Sequence, residues 1–198
     1  MKSKIDQYYE QHDCQRISQG DILRDFKFVI SGKTGVQIEI LFQYIIVLTQ
    51  DCDLEQGSKV SNILEDSQTG LKKVNQYLHN ILFVPAFPAE LLKKGEHLQG
   101  LYKIQTEPLA SKLWQKIVKN SDYRYHFLPS CPDYQVPDLL IDFKAYYTLA
   151  FDYFLERYHK HYLVTVNELF RESLSQRFAY YLSRIGLPEL LEKEKAIE

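Results

Sequence analysis

The run Tyr44-Ile45-Ile46-Val47-Leu48 limits the possible folds more than any other stretch of this chain. It is β-branched and apolar, so it reads as a buried strand. It stops abruptly at Thr49-Gln50-Asp51-Cys52-Asp53-Leu54, where a thiol lies between two carboxylates. A loop at the end of a rigid strand is where a sheet commonly presents functional groups. Residues 50–55 are therefore the first candidate site, with Gln50, Asp51, Cys52 and Asp53 as its recognition residues.

The surrounding pattern extends the sheet. Gly20-Asp21-Ile22-Leu23 opens a strand. Alternation in Phe26–Ile30 and Val36–Ile40, either side of Ser31-Gly32-Lys33-Thr34-Gly35, predicts a β-hairpin. Residues 55–76 read as a polar loop with at most one short helix. His79–Pro85 reads as a strand stopped by Pro85 and Pro88. Ala89–Lys94 reads as a short helix closed by Gly95. Leu109–Lys119 is amphipathic: Leu109, Leu113, Trp114, Ile117 and Val118 share one face, and Lys112, Lys116 and Lys119 another, with Pro108 suited to the first turn. Strands are expected at Tyr123–Leu128, Leu139–Leu149 and His161–Val166, with a loop at 131–137. A last helix starts at Asn167, carries Phe170, Leu174, Phe178, Tyr181, Leu182 and Ile185 as its stripe, and stops at Gly186 and Pro188. Residues 1–16 read as a short helix or a loose arm.

Together these predict an α+β protein, a mostly antiparallel β-barrel with a helical insertion at about 88–120 and a C-terminal helix. A single domain would span 1–188, with a charged tail at 189–198. The 198 residues are 45% hydrophobic, enough for one core, and 14% aromatic, which favours pleated strands.

Charge and cysteine usage narrow the function. A net charge of −2 disfavours a dedicated phosphate-backbone binder. Cys14, Cys52 and Cys131 are odd in number and far apart, which points to a reducing compartment. The N-terminus lacks a leader's apolar core, and no apolar run approaches the ~20 residues of a spanning helix. A cytoplasmic protein without a membrane partner is the expectation. Tyrosines and open sheet edges admit a homodimer.

Several constellations could carry chemistry. Gly32-Lys33-Thr34 invites a phosphate-loop reading, but Lys27 stands where that loop needs its first glycine, and a strand follows instead of a helix. Cys52 as a nucleophile would need a histidine or a cation, and its neighbouring carboxylates oppose the thiolate. His79 and His126 could fold beside it. Asp51, Cys52 and Asp53 with a histidine could also hold a divalent metal, although no second ligand sits at ligand spacing. The third alternative is a structural or recognition turn. His159 and His161 would face one side of a strand. His12-Asp13-Cys14 offers ligands on the arm. Lys112 and Lys116, with Lys119, Arg171, Arg177 and Arg184, offer a basic surface for nucleic acid.

Gly20-Asp21-Ile22, followed by Val47-Leu48-Thr49-Gln50-Asp51, resembles the start of the MazF/PemK-type toxins over about residues 18–54. The resemblance implies an SH3-like barrel and ribonuclease activity. It lacks that family's arginine before the apolar strand, where Glu39-Ile40-Leu41-Phe42-Gln43 stands. Thr49 is the nearest match to its small hydroxyl residue, and Asp51 and Asp53 would repel RNA. Gln50–Leu54 and Ser183–Pro188 also resemble uncharacterised bacterial proteins of defence-type gene neighbourhoods. The leading expectation is a non-catalytic binding module of a defence or toxin-like system, with another protein as partner and no cofactor. One alternative is a MazF/PemK-type hydrolase using Asp51 or Asp53 with His126 or His79 as acid. The other is a metal-binding regulator using Cys52.

Overall fold

A computed structural model describes residues 7–13, 15–31, 37–65 and 77–184, apart from the side chains of residues 30, 31 and 60–65. Its strands are β1 (Tyr9–Glu10), β2 (Asp21–Ser31), β3 (Gln37–Val47), β4 (Asn80–Pro88), β5 (Tyr125–Leu128), β6 (Leu139–Asp142), β7 (Tyr147–Ala150) and β8 (Tyr162–Val166). Its helices are α1 (Asp51–Glu65), α2 (Ala89–Lys94), α3 (Gln99–Tyr102), α4 (Ser111–Val118), α5 (Phe151–His161) and α6 (Glu168–Leu182). The strands form one antiparallel, curled half-barrel sheet in the order β1-β8-β2-β3-β4-β6-β5, with β7 also on β4. Among the described residues no helix is long and apolar enough to cross a membrane.

The hairpin expected from alternation is β2–β3, in register from Ile22↔Ile46 to Ser31↔Gln37. Its connection, including Gly32-Lys33-Thr34, lies outside the described residues, as do Cys14, residues 66–76 and everything from Ile185 onward. The hairpin kinks. Asp25 has φ 54° in mid-strand, and β2 leaves its register with β8 between Ile22 and Leu23. Before the kink Ile22, Tyr44 and Ile46 pack in one cluster; beyond it Phe26, Phe28, Ile40 and Phe42, of the same parity, pack in another. A left-handed residue redirects the pleat, so one alternating strand serves two cores.

The first core lies under α6, through Leu174 and Phe178. The second lies under α5, through Phe151, Phe154 and Tyr158, with Leu54 of α1. The third joins Phe87 and Leu140 to Leu92 and Ile117 of the helices between 88 and 120. Gly95 closes α2 with φ 78°, as its position suggested.

Several expectations are corrected. The acidic turn 50–55 is the start of α1, not a loop. The Gln50 carbonyl accepts the Asp53 and Leu54 amides, and Asp51 and Asp53 complement the positive helix end. Only Leu54 and Gly57 face inward from its described part, and a Cβ on Gly57 would lie 2.7 Å from Leu78 Cβ, so polar composition hid the helix. Pro85 does not stop β4. It pairs with Ile45 on one side, and on the other it falls in the gap between the β7 and β6 pairings, where a missing N–H costs nothing. The strand expected at Leu139–Leu149 is two, β6 and β7, separated by a turn at 143–146. Tyr9–Glu10 is an edge strand on β8 and not a helix or loose arm. Pro108 precedes α4 by three residues instead of sitting in its first turn, and Val118 is exposed.

His159 and His161 are on α5, not on a strand, so their i, i+2 spacing turns them away from each other. His161 Nδ1 donates to the Arg24 carbonyl at the kink (3.0 Å).

Candidate functional site

The end of β3 and the start of α1 are stitched to two distant elements. Thr49 Oγ1 accepts the Leu82 amide at 2.7 Å, which ties the strand end to β4. Asp51 Oδ1 accepts the Gln19 amide at 2.7 Å, and Asp51 Oδ2 lies 2.9 Å from Arg171 Nη2 on α6. Arg171 also donates to the Gln19 carbonyl (3.3 Å). The Gln19 side-chain amide donates to Ser175 Oγ (2.8 Å) and to the Leu48 carbonyl (3.2 Å). Both Asp51 oxygens are thus engaged, and its charge faces a guanidinium whose side chain is only 18% exposed.

Gly20 makes this approach possible. It has φ +86°, and a Cβ there would meet Arg171 Cβ at 3.0 Å and the Val166 carbonyl at 3.2 Å. Its neighbours are held as closely: the Gly20 amide donates to Val47 O, and Val166 donates to Gly20 O. The glycine before Asp21 is therefore a requirement of helix-to-strand packing.

Beside this network runs a groove of about 510 Å³. Leu48, Leu78, Leu82, Phe178 and Leu182 supply its apolar lining, while Gln19, Thr49, Gln50, Asp53, Asn80 and Ser175 supply polar groups. Asp53 is exposed on it. Of the residues expected to form a recognition loop, Gln50 and Asp53 line the groove, and Asp51 braces its wall.

The remaining candidates are placed elsewhere. Cys52 is exposed, and its Sγ lies 3.7 Å from Gln50 Oε1 and 3.8 Å from Asp53 Oδ1. His126 is buried in the core at 1% exposure. Its Nδ1 accepts from Arg177 Nε at 3.0 Å, and burial, with the nearby Arg177 charge, pushes its pKa down to about 3. It is thus a neutral imidazole at physiological pH. His79 is exposed at the start of β4, edge-on to Tyr77; its neighbours Leu78 and Asn80 line the groove. Among the described residues no three His, Cys, Asp or Glu side chains converge to hold a metal ion.

The basic surface divides. Lys112, Lys116 and Lys119 are exposed on and just after α4. The α6 arginines are committed. Arg171 holds Asp51, and Arg177 donates to the carbonyls of Asn120, Asp122 and Tyr125 as well as to His126. Arg184 lies 4.3 Å from the ring centres of Tyr123 and Tyr181.

Sequence reading missed Gln19 and Ser175, and it placed Arg171 on a basic surface instead of against Asp51. Only the i, i+4 spacing of Arg171 and Ser175 on α6 marked them as sharing a face. No family model, curated protein or solved structure matches this chain.

Proposed function

We propose that the protein is a non-catalytic binding module, an SH3-like barrel of a bacterial defence or toxin-like system, whose groove between the first turn of α1 and α6 holds another protein. The observation that carries this reading is the groove's composition. An apolar lining of Leu48, Leu82, Phe178 and Leu182 is edged by one exposed carboxylate, Asp53, and by amides. An apolar side chain followed by a lysine or arginine on the partner would bury the first and pair the second. The neighbouring acid, Asp51, is already paired with Arg171 and held by the Gln19 amide, which supports recognition over proton transfer. The curled antiparallel sheet and the Gly20-Asp21-Ile22 opening support the SH3-like assignment.

The test is co-purification of the tagged full chain from its native host, with mass spectrometry of nuclease-treated and untreated lysates. The expected result is a nuclease-resistant protein partner, retained by Cys52→Ala and lost from Asp53→Lys and Leu182→Asp. A partner held equally by all of these variants removes the groove from the assignment. RNA fragments recovered only without nuclease would revive the hydrolase reading.

A further inference from the structure

The polypeptide leading into β2 is fastened by one buried carboxylate. Asp21 is fully buried, and its two oxygens meet four donors. Oδ1 lies 2.8 Å from His12 Nε2 and 2.6 Å from Thr165 Oγ1. Oδ2 lies 2.6 Å from the Ser18 amide and 2.7 Å from the Tyr158 hydroxyl. The other His12 nitrogen, Nδ1, lies 2.7 Å from the Asp13 carbonyl.

Both imidazole nitrogens therefore face acceptors. A neutral ring has only one N–H, so either tautomer sets a lone pair against the Asp21 carboxylate or against the Asp13 carbonyl. Only the imidazolium satisfies both contacts, and it also pairs its charge with the buried carboxylate.

What His12 fastens is the edge of the sheet. Tyr9 and Glu10 pair with Val166 and Thr165 of β8. The Asn167 amide donates to the Tyr8 carbonyl (2.9 Å), Gln11 Nε2 donates to the Leu163 carbonyl (3.2 Å), and the Tyr8 ring stacks on Phe170 of α6 at 3.9 Å. We propose that His12 and Asp21 form a proton-dependent latch, which holds the N-terminal edge strand on β8 while His12 is charged and loosens it when His12 is neutral.

The groups around His12 set the direction. From β2 comes Asp21; from β8, Tyr162, whose ring lies 5.0 Å away, and Thr165; from α5, Tyr158 behind Asp21; and from its own segment, Asp13 and Arg16. The Asp21 hydrogen bond is the largest influence and raises the His12 pKa above its ordinary 6.5, against burial and the Arg16 charge. A histidine whose folded pKa is raised contributes stability fully below its unfolded value and loses it as pH rises through the folded value. The latch is therefore closed in mildly acidic solution and loosens on the alkaline side.

The test is NMR on the full chain over about pH 6–9, a range that brackets a raised histidine. The His12 imidazole is titrated while amide exchange is followed at Asn167 and along the β2–β3 hairpin, each rate being referred to its intrinsic value. The expected result is a His12 midpoint above 6.5. Through that midpoint Asn167 protection should fall severalfold, while the hairpin keeps its protection. In His12→Gln, Asn167 protection should no longer depend on pH. A wild-type His12 midpoint at or below 6.5, or Asn167 protection unchanged through the midpoint, overturns the latch.

Discussion

Asp21 and Asp51 hold the two sides of one turn, residues 18–21, yet their surroundings differ in kind. Asp21 is sealed from water and collects hydrogen bonds from His12, Thr165, Tyr158 and the Ser18 amide. Asp51 is 39% exposed, takes the Gln19 amide and pairs with Arg171 beside an open groove. A carboxylate removed from water must have every oxygen satisfied, so the buried region is over-determined and tolerates little change. The groove wall keeps partial hydration, so its charges can be altered and its surface remains available to a partner.

The strongest way to break this contrast is Asp21→Ala. It removes the shared acceptor of the Thr165 and Tyr158 hydroxyls, the buried Ser18 amide and the partly buried His12 ring, and unfolding by denaturant should show a loss of about 3–5 kcal/mol, the range for a broken buried charge cluster. Gly20→Ala tests the hinge between the regions. The left-handed φ and the contact with Arg171 Cβ predict a loss of about 1–2 kcal/mol, read from the shift in denaturation midpoint. Asp51→Ala sharpens the comparison from the other side. It removes one partly exposed ion pair and one amide acceptor, so the loss should be about 1 kcal/mol, with cooperative unfolding retained. If Asp51→Ala cost as much as Asp21→Ala, the distinction between the sealed and the open region would be lost.

The elements that announced themselves in sequence are those whose hydrophobic period is unambiguous. The alternation of Phe26, Phe28, Ile38 and Ile40 marked the hairpin, and Leu174 and Phe178 marked α6. α5 was not read as a helix: Phe151, Phe154 and Tyr158 recur at helical spacing, but the period-two pair His159 and His161 drew the end of that stretch toward a strand. α1 offered no such stripe. Its helical state rests on Leu54 inside, acids at the positive helix end, and Gly57 packed against Leu78. The split between β6 and β7 was also hidden, because both pieces are apolar enough to read as one strand.

The candidate site divides the same way. Composition marked residues 50–53 as polar chemistry at a strand end, and two of them, Gln50 and Asp53, line the groove. It did not reveal that Asp51 is neutralised by an arginine 120 positions later on α6, or that His126 is sealed in the core by Arg177.

By itself the sequence determined the β2–β3 hairpin, α4 and α6, because side-chain period against backbone geometry is a local property. Only the tertiary structure decided which acids and histidines are available. That depends on burial and on partners such as Thr165 and Tyr158, which lie 144 and 137 positions from Asp21 along the chain and touch it only because β8 and α5 fold back onto β2.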